Sequence, residues 1–306
     1  MIFLVNLCLL GCGGSVPQPE RNLTSLLLNI IGSKVLIDCG EGTQVSMKRI
    51  GWGFKDIDTI CLTHYHLDHI LGLPGLILTI ANSNRREDIN IIGPTGLSKV
   101  MDSFKIFFNY LPFRLNLIEA SGAKDPVFET EKFNISALNL DHSVNCIGYS
   151  IYVNRMRKFE VEKAEKNMVP RELWKDLQNE KSRLFDGKMY TPNMVLGEIR
   201  KGIKISYITD TRPIDDIQSF VNGSDLFICE GMYGDDDDIN KAKENKHMLF
   251  REAATLAKNS NVKELWLTHF SPSMEDESIY LDNAKKIFDN TKLGYDRALK
   301  QLKYDD

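Results

Sequence analysis

Three of the chain's six histidines fall within six residues, in Thr63-His64-Tyr65-His66-Leu67-Asp68-His69. Neutral imidazoles with a carboxylate are ligands suited to Zn²⁺ and similar borderline divalent ions. Four candidate ligands in one short turn exceed what a single tetrahedral ion with an open position takes. The cluster therefore points to two ions side by side, an arrangement suited to chemistry at phosphoryl oxygens. The other histidines, His142, His247 and His269, each stand alone. Taken singly, His142 reads as a satisfied turn histidine, and His247, beside the Lys-rich stretch 241–246, as a solvated helix N-terminal residue.

The elements that must carry these residues are short apolar strands. Stretches 2–10, 23–31 and 34–38 are apolar or alternating, with Gly32-Ser33 as a hairpin turn between the last two. A helix is expected over 43–50. A buried-type strand, 57–62, delivers the histidine cluster at its C-terminal end. Helices follow at 72–81 and 97–110, with strands at 89–92, 113–119, 127–129 and 132–140, the last leading to His142. Further strands end at Asp210, Glu230 and His269, with helices over 246–259 and 275–290. One pattern recurs: an apolar strand, then His, Asp or Glu at its C-terminal end. Ligands on loops held by a rigid sheet are how a mixed α/β fold builds a site.

Between these halves, 152–204 loses periodicity and turns basic. It holds thirteen Lys/Arg against eight Asp/Glu, a surplus of +5 in a chain whose net charge is −4. A long irregular insert of this kind is functional or disordered, and its bland reading is a solvated excursion or a dimer-packing element. The acidic run 235–238 reads as a solvated loop.

With 306 residues, 42% hydrophobic and 26% charged, the chain is of ordinary globular composition. The negative balance does not advertise a nucleic-acid binder, so any polyanion site must be local. Six cysteines show no CxxC pair and sit mostly in apolar runs, as expected of buried thiols in a reducing cytoplasm. Leu9-Leu10-Gly11-Cys12 imitates a lipoprotein cleavage box, but no Lys or Arg precedes it and Asn6 breaks the apolar run. No stretch is long enough for a membrane helix, and a cytoplasmic protein is expected.

The order His64-x-His66-x-Asp68-His69, His142, Asp210, His269 resembles the metallo-β-lactamase superfamily along nearly the whole chain. Pro19-Glu20-Arg21-Asn22, Asp38-Cys39-Gly40-Glu41-Gly42-Thr43-Gln44, Asp210-Thr211-Arg212-Pro213 and Leu267-Thr268-His269-Phe270-Ser271 narrow the likeness to ribonuclease Z, the tRNA 3′-processing endonucleases. The resemblance implies an α/β fold: a four-layer αβ/βα sandwich forming a single domain over 1–306, with 152–204 inserted as a tRNA-binding arm. It implies two Zn²⁺ per subunit, with Mn²⁺ or another divalent ion as the alternative. One ion would take His64, His66 and His142, the other Asp68, His69 and His269, with Asp210 between them. A hydroxide shared by two cations has a lowered pKa and would be the nucleophile. Asp68 would also orient it, and His247 held by Glu230 would protonate the leaving 3′-oxygen. Arg21 and Arg212 are candidates for substrate phosphate, Arg212 equally for bracing its loop. Precursor tRNA is the implied substrate and a homodimer the implied assembly.

The chain departs from the family in three places. Cys229-Glu230-Gly231-Met232 stands where His-Glu-Ala-Thr is usual, and Met248-Leu249-Phe250 replaces small hydroxyl residues after His247. Val169-Pro170-Arg171-Glu172-Leu173-Trp174 lacks the Gly-Pro-rich turn of the bacterial arm. These departures keep open a hydrolase of small phosphodiesters or related esters that ignores tRNA. A non-catalytic binding scaffold is a third reading, which the complete ligand set disfavours.

Overall fold

In the computed structural model, which describes residues 5–108, 110–122 and 126–305, the chain forms two compact units. The larger comprises Met1–Val153 and Ile203–Lys303, the smaller Asn154–Gly202 and Tyr304–Asp306.

The larger unit opens with an antiparallel meander, β1 (Val5–Gly11), β2 (Ser25–Ile30) and β3 (Ser33–Ile37). Ile31 and Gly32 turn β2 into β3 with φ of 49° and 85°, the left-handed pair that a two-residue hairpin needs. Ser33 pairs with Ile30, so the turn lies one residue earlier than its sequence suggests. Parallel strands follow: β4 (Ile57–Cys61), β5 (Ile89–Pro94) and β6 (Leu115–Ala120). Helices α1 (Thr43–Ile50), α2 (Leu67–Ile70), α3 (Leu73–Ala81) and α4 (Leu97–Phe104) make the crossovers. Alternate residues Cys8, Leu10, Leu27, Leu36 and Ile60 pack with Met47, Leu76, Ile77, Ile80 and Met101 from those helices. Their neighbours Leu7, Leu9, Leu26, Leu28, Val35 and Ile37 point to the other face and are equally buried. A sheet buried on both faces is an inner layer.

The second sheet begins with β7 (Phe128–Glu129), β8 (Phe133–Leu140) and β9 (Cys146–Val153). The smaller unit intervenes with α5 (Val161–Lys166), α6 (Trp174–Gln178) and the hairpin β10 (Arg183–Phe185)–β11 (Lys188–Tyr190). The sheet resumes with β12 (Ile203–Ile208), α7 (Asp215–Val221) and β13 (Leu226–Glu230). Then come α8 (Ile239–Asn245), α9 (Phe250–Asn259), β14 (Leu265–Thr268), α10 (Leu281–Lys285) and β15 (Thr291–Leu293). The last strand, β16 (Ala298–Leu302), crosses to pair with β1 of the first sheet. The strand orders are β16-β1-β2-β3-β4-β5-β6 and β15-β14-β13-β12-β9-β8-β7. Helix α9 covers β13 and β14, and α7 covers β8. Buried hydroxyls tie the two sheets: Tyr149 donates to Leu62 O at 2.7 Å, and Tyr207 Oη lies 2.8 Å from Thr24 Oγ1. The result is the helix–sheet–sheet–helix sandwich.

Several expected elements change. The first three residues of the expected strand 2–10 lie outside the described residues, and β9, β15 and β16 were not foreseen. The helix expected over 275–290 shrinks to a 3₁₀ turn, Glu277–Tyr280, and α10, because the chain must return to lay β15 beside β14. Helix α9 starts at Phe250 rather than 246, since Leu249 is extended and bridges Tyr233. Helix α4 stops at Phe104 and a 3₁₀ turn, Lys105–Phe107, succeeds it.

The smaller unit is not structureless. Ala164, Val169, Leu173, Leu177, Tyr190, Val195 and Leu196 form its own buried cluster. Asp186 and Gly187, with φ of 48° and 73°, turn its hairpin. Its basic residues are partly spent internally: Arg183 binds Asp176 at 2.6 Å, and Arg157 donates to Gly197 O and Asn193.

Candidate metal centre

Topology brings the candidate residues to one edge. Strands β12, β13 and β14 are parallel, so Asp210, Glu230 and His269 emerge at the same end. Strand β8 runs antiparallel to β9, which runs antiparallel to β12, so His142 leaves β8 at that edge too. The cluster His64–His69 follows β4 in the first sheet. Crevices outside the carboxyl ends of parallel strands are where α/β folds bind ligands. Asp38, Asp210 and His269 have left-handed φ of 56°, 52° and 58°, unusual for residues other than glycine. Such backbone is held only where the surroundings over-determine it, as at functional sites.

The side chains converge in two triads. His64 Nε2 lies 3.0 Å from His66 Nδ1, which lies 3.3 Å from His142 Nε2. His69 Nε2 and His269 Nε2 are 3.2 Å apart, each 3.5 Å from Asp68 Oδ2. Asp210 divides its oxygens between them. Its Oδ1 is 3.9 and 3.8 Å from His64 and His142, while Oδ2 is 3.3 and 3.4 Å from His69 and His269. Five imidazoles and two carboxylates converging on so small a volume fit divalent cations, for which these are the natural donors. Burial and the neighbouring imidazoles push His64 well below the usual histidine range, toward the neutral form that donates a lone pair. Burial opposes the charge of Asp210, but His269 and His69 outweigh it and hold its carboxyl well below the usual carboxylate range.

A buried support holds the triads. Asp38 Oδ2 sits 2.8 Å from His69 Nδ1, and Asp38 accepts from Thr63 N and Thr63 Oγ1, both at 2.8 Å. Thr63 Oγ1 also lies 3.1 Å from His64 Nδ1, and Ser15 N donates to Asp68 Oδ2 at 2.7 Å. Gly14 leaves room for His269, since a Cβ there would stand 2.6 Å from its Cε1. Asp38 was quoted in the sequence only as part of a motif. Its place at the end of β3, like the other acids at strand ends, was the signal.

Beside the triads lies a cleft of about 380 Å³ lined by Ser15, His66, Asp68, His142, Asp210 and His247, among others. His247 Nδ1 is 3.1 Å from the fully buried Glu230 Oε2, which also accepts from Met248 N. Burial disfavours the imidazolium, but Glu230 and then Asp210 outweigh it and raise the His247 pKa to about 9. Arg21 and Arg212 do not line this cleft. Arg21 binds Glu277 at 2.7 Å, and Arg212 grips Glu252 with both terminal nitrogens and donates to His247 O.

A similar architecture and a related sequence occur in known proteins. A ribonuclease Z of Clostridium acetobutylicum is 54% identical over 307 residues, covering 99% of both chains. Another, from Clostridioides difficile, is 53% identical, covering 99% of this chain and 100% of its own. The chain belongs to the ribonuclease Z family. Residues 5–158 of this ribonuclease Z family member also match the family described as Anti-Pycsar protein Apyc1, which stops short of Asp210, His247 and His269. Human tRNase Z, short form, has a TM-score of 0.69 and 25% identity, covering 96% of this chain and 98% of its own. The metallo-β-lactamase fold protein YhfI from Bacillus subtilis has a TM-score of 0.70 at 19% identity, covering 97% and 99%, and shares the fold. Among the described residues of this family member, no helix is long and apolar enough to cross a membrane.

Proposed function

We propose that this chain is a metal-dependent endonuclease that removes 3′ trailers from precursor tRNA, leaving a 3′-hydroxyl on the tRNA and a 5′-phosphate on the trailer. The observation that carries this reading is Asp210 dividing its two oxygens between two triads, in a chain matching named ribonuclease Z relatives over its whole length. His64, His66 and His142 would hold one Zn²⁺, Asp68, His69 and His269 the other, and Asp210 would serve both. Two such ions, when bound, neutralise phosphoryl-oxygen charge and lower the pKa of water.

The chain's own groups do the rest. Asp68, fixed by the Ser15 amide, orients the attacking water and takes up the proton it loses as it bonds to phosphorus. The new P–O bond forms as the bond to the 3′-oxygen breaks. His247, held by Glu230 against the cleft, delivers a proton to that oxygen. Unit Asn154–Gly202, with its exposed lysines, is the candidate arm for tRNA phosphates, whose contacts weaken with salt. Six unpaired, buried cysteines fit the cytoplasm as its place of action. The family resemblance supports a homodimer, which sedimentation of the pure protein would test.

The test is cleavage of an unprocessed tRNA by metal-loaded protein, with His64→Ala as the blank. A chain that leaves the tRNA intact while hydrolysing a small phosphodiester would instead be the small-substrate hydrolase.

A further inference from the structure

We propose that Arg212 and Glu252 act as a positioning pair for His247, setting the proton donor through its main chain rather than touching the substrate. This rests on the reading of His247 as the proton donor. The three attachments of His247 are separate. Its N–H donates to Ala242 O at 2.9 Å, its ring meets Glu230, and its carbonyl accepts from Arg212 Nη1 at 2.5 Å.

The third attachment is built from two elements. The Arg212 amide donates to Asp141 O at 3.1 Å, which ties its loop to the residue before His142. Its guanidinium makes a two-pronged contact with the Glu252 carboxylate, and both side chains are mostly buried, at 16% and 18% exposure. Glu252 in turn accepts from Leu249 N at 2.9 Å, capping the start of α9 two residues after His247. One planar fork therefore spans the carbonyl of His247 and the cap of the following helix. Lysine cannot reproduce that geometry, because its ammonium is a point charge. Three of the five guanidinium N–H groups are taken by Glu252 and the His247 carbonyl, and Arg212 does not line the cleft beside the triads. A loop one ångström out of place is enough to spoil proton delivery.

The experiment uses the full, metal-loaded chain and two substrates, precursor tRNA and bis(p-nitrophenyl) phosphate. The first expels a poor alkoxide that needs a proton; the second expels a stabilised phenolate that does not. Arg212→Gln and Glu252→Gln are each expected to lower kcat on tRNA by roughly 10-fold or more, within the ~10²–10⁴-fold that general acid catalysis supplies. KM for tRNA and turnover of the nitrophenyl ester should stay within about 3-fold, since neither depends on the donor. Arg212→Lys should fall between wild type and Arg212→Gln.

A rise in KM with kcat unchanged in the Arg212 variants, with Glu252→Gln harmless, would show a substrate contact and overturn the proposal. Parallel loss on both substrates, with loss of metal or a lowered Tm, would show a merely structural role and overturn it too. His247→Ala separates the two layers. If it leaves the ratio of the two activities unchanged, the donor reading itself fails and the pair has nothing to position.

Discussion

Asp38 shows how much of this site depends on groups that touch no substrate. It holds His69 from behind and is itself held by two bonds from Thr63. Groups of this kind fix the ring and tautomer of a ligand histidine, and their loss typically costs about 10–100-fold in metal affinity. Asp38→Ala is therefore expected to weaken Zn²⁺ binding by that order in a chelator competition, with the fold retained by circular dichroism. Glu230 governs a different property. It is the main charge holding the His247 pKa up against burial. As the proposed proton donor, His247 works while protonated, and activity is expected to fall as pH rises through its pKa. Glu230→Gln leaves burial unopposed by that charge, and the alkaline limb of the rate profile should move to lower pH. An unmoved limb would detach Glu230 from the donor. The His64–His69 cluster was legible in the sequence because so many imidazoles together have few other uses, whereas His142, Asp210 and His269 were picked out by their places at strand ends and by the family resemblance. The roles of Thr63, Lys246 and Glu252 were not, because each depends on a partner far away in the chain: Lys246 Nζ, for instance, binds Asp141 at 2.7 Å.

At the scale of elements, parallel strands in both sheets bring the candidate ligands to one edge, and the strands that end in them were read from their apolar runs. β9 was missed although Cys146–Val153 is an apolar run after the polar turn 141–145, while β15 is only three residues long and Ala298–Leu302 shows no alternation of apolar and polar residues. The glycine turn after β1 carries a prediction of its own. In Gly14→Ala the added methyl would stand 2.6 Å from His269 Cε1 and displace the ring. Metal titration should show one weakened site, with far-UV circular dichroism unchanged. The inserted unit offers another. Val153 and Ile203, which flank it, are register partners on adjacent antiparallel strands, so a short turn can reconnect them. Replacing Asn154–Gly202 by such a turn should abolish precursor-tRNA cleavage and spare turnover of bis(p-nitrophenyl) phosphate. Equal loss of both, or of neither, would deny the unit its role as an RNA-binding arm. Its charge was legible in the sequence, but its fold was not, since its buried cluster draws single residues from two helices of six and five residues, a 3₁₀ turn, a three-residue strand and the loops between them.

For the whole molecule, five buried or half-buried histidines and two carboxylates face one another at the joint edge of two sheets. A ligand that binds the folded form alone stabilises it by mass action. Stripping the metal with a chelator should therefore lower Tm, and added Zn²⁺ should restore both Tm and activity. The net charge of −4 places no broad positive field around the chain, so recognition of RNA must come from local groups, and tRNA cleavage should decline steeply with salt. The most direct measurement is end-mapping of products from an unprocessed tRNA cut by the metal-loaded protein, beside a His64→Ala control. A single cut at the 3′ side of the tRNA, giving a 3′-hydroxyl and a trailer with a 5′-phosphate, only with the intact protein, is the expected result. An uncut tRNA under conditions where bis(p-nitrophenyl) phosphate is hydrolysed would contradict the account.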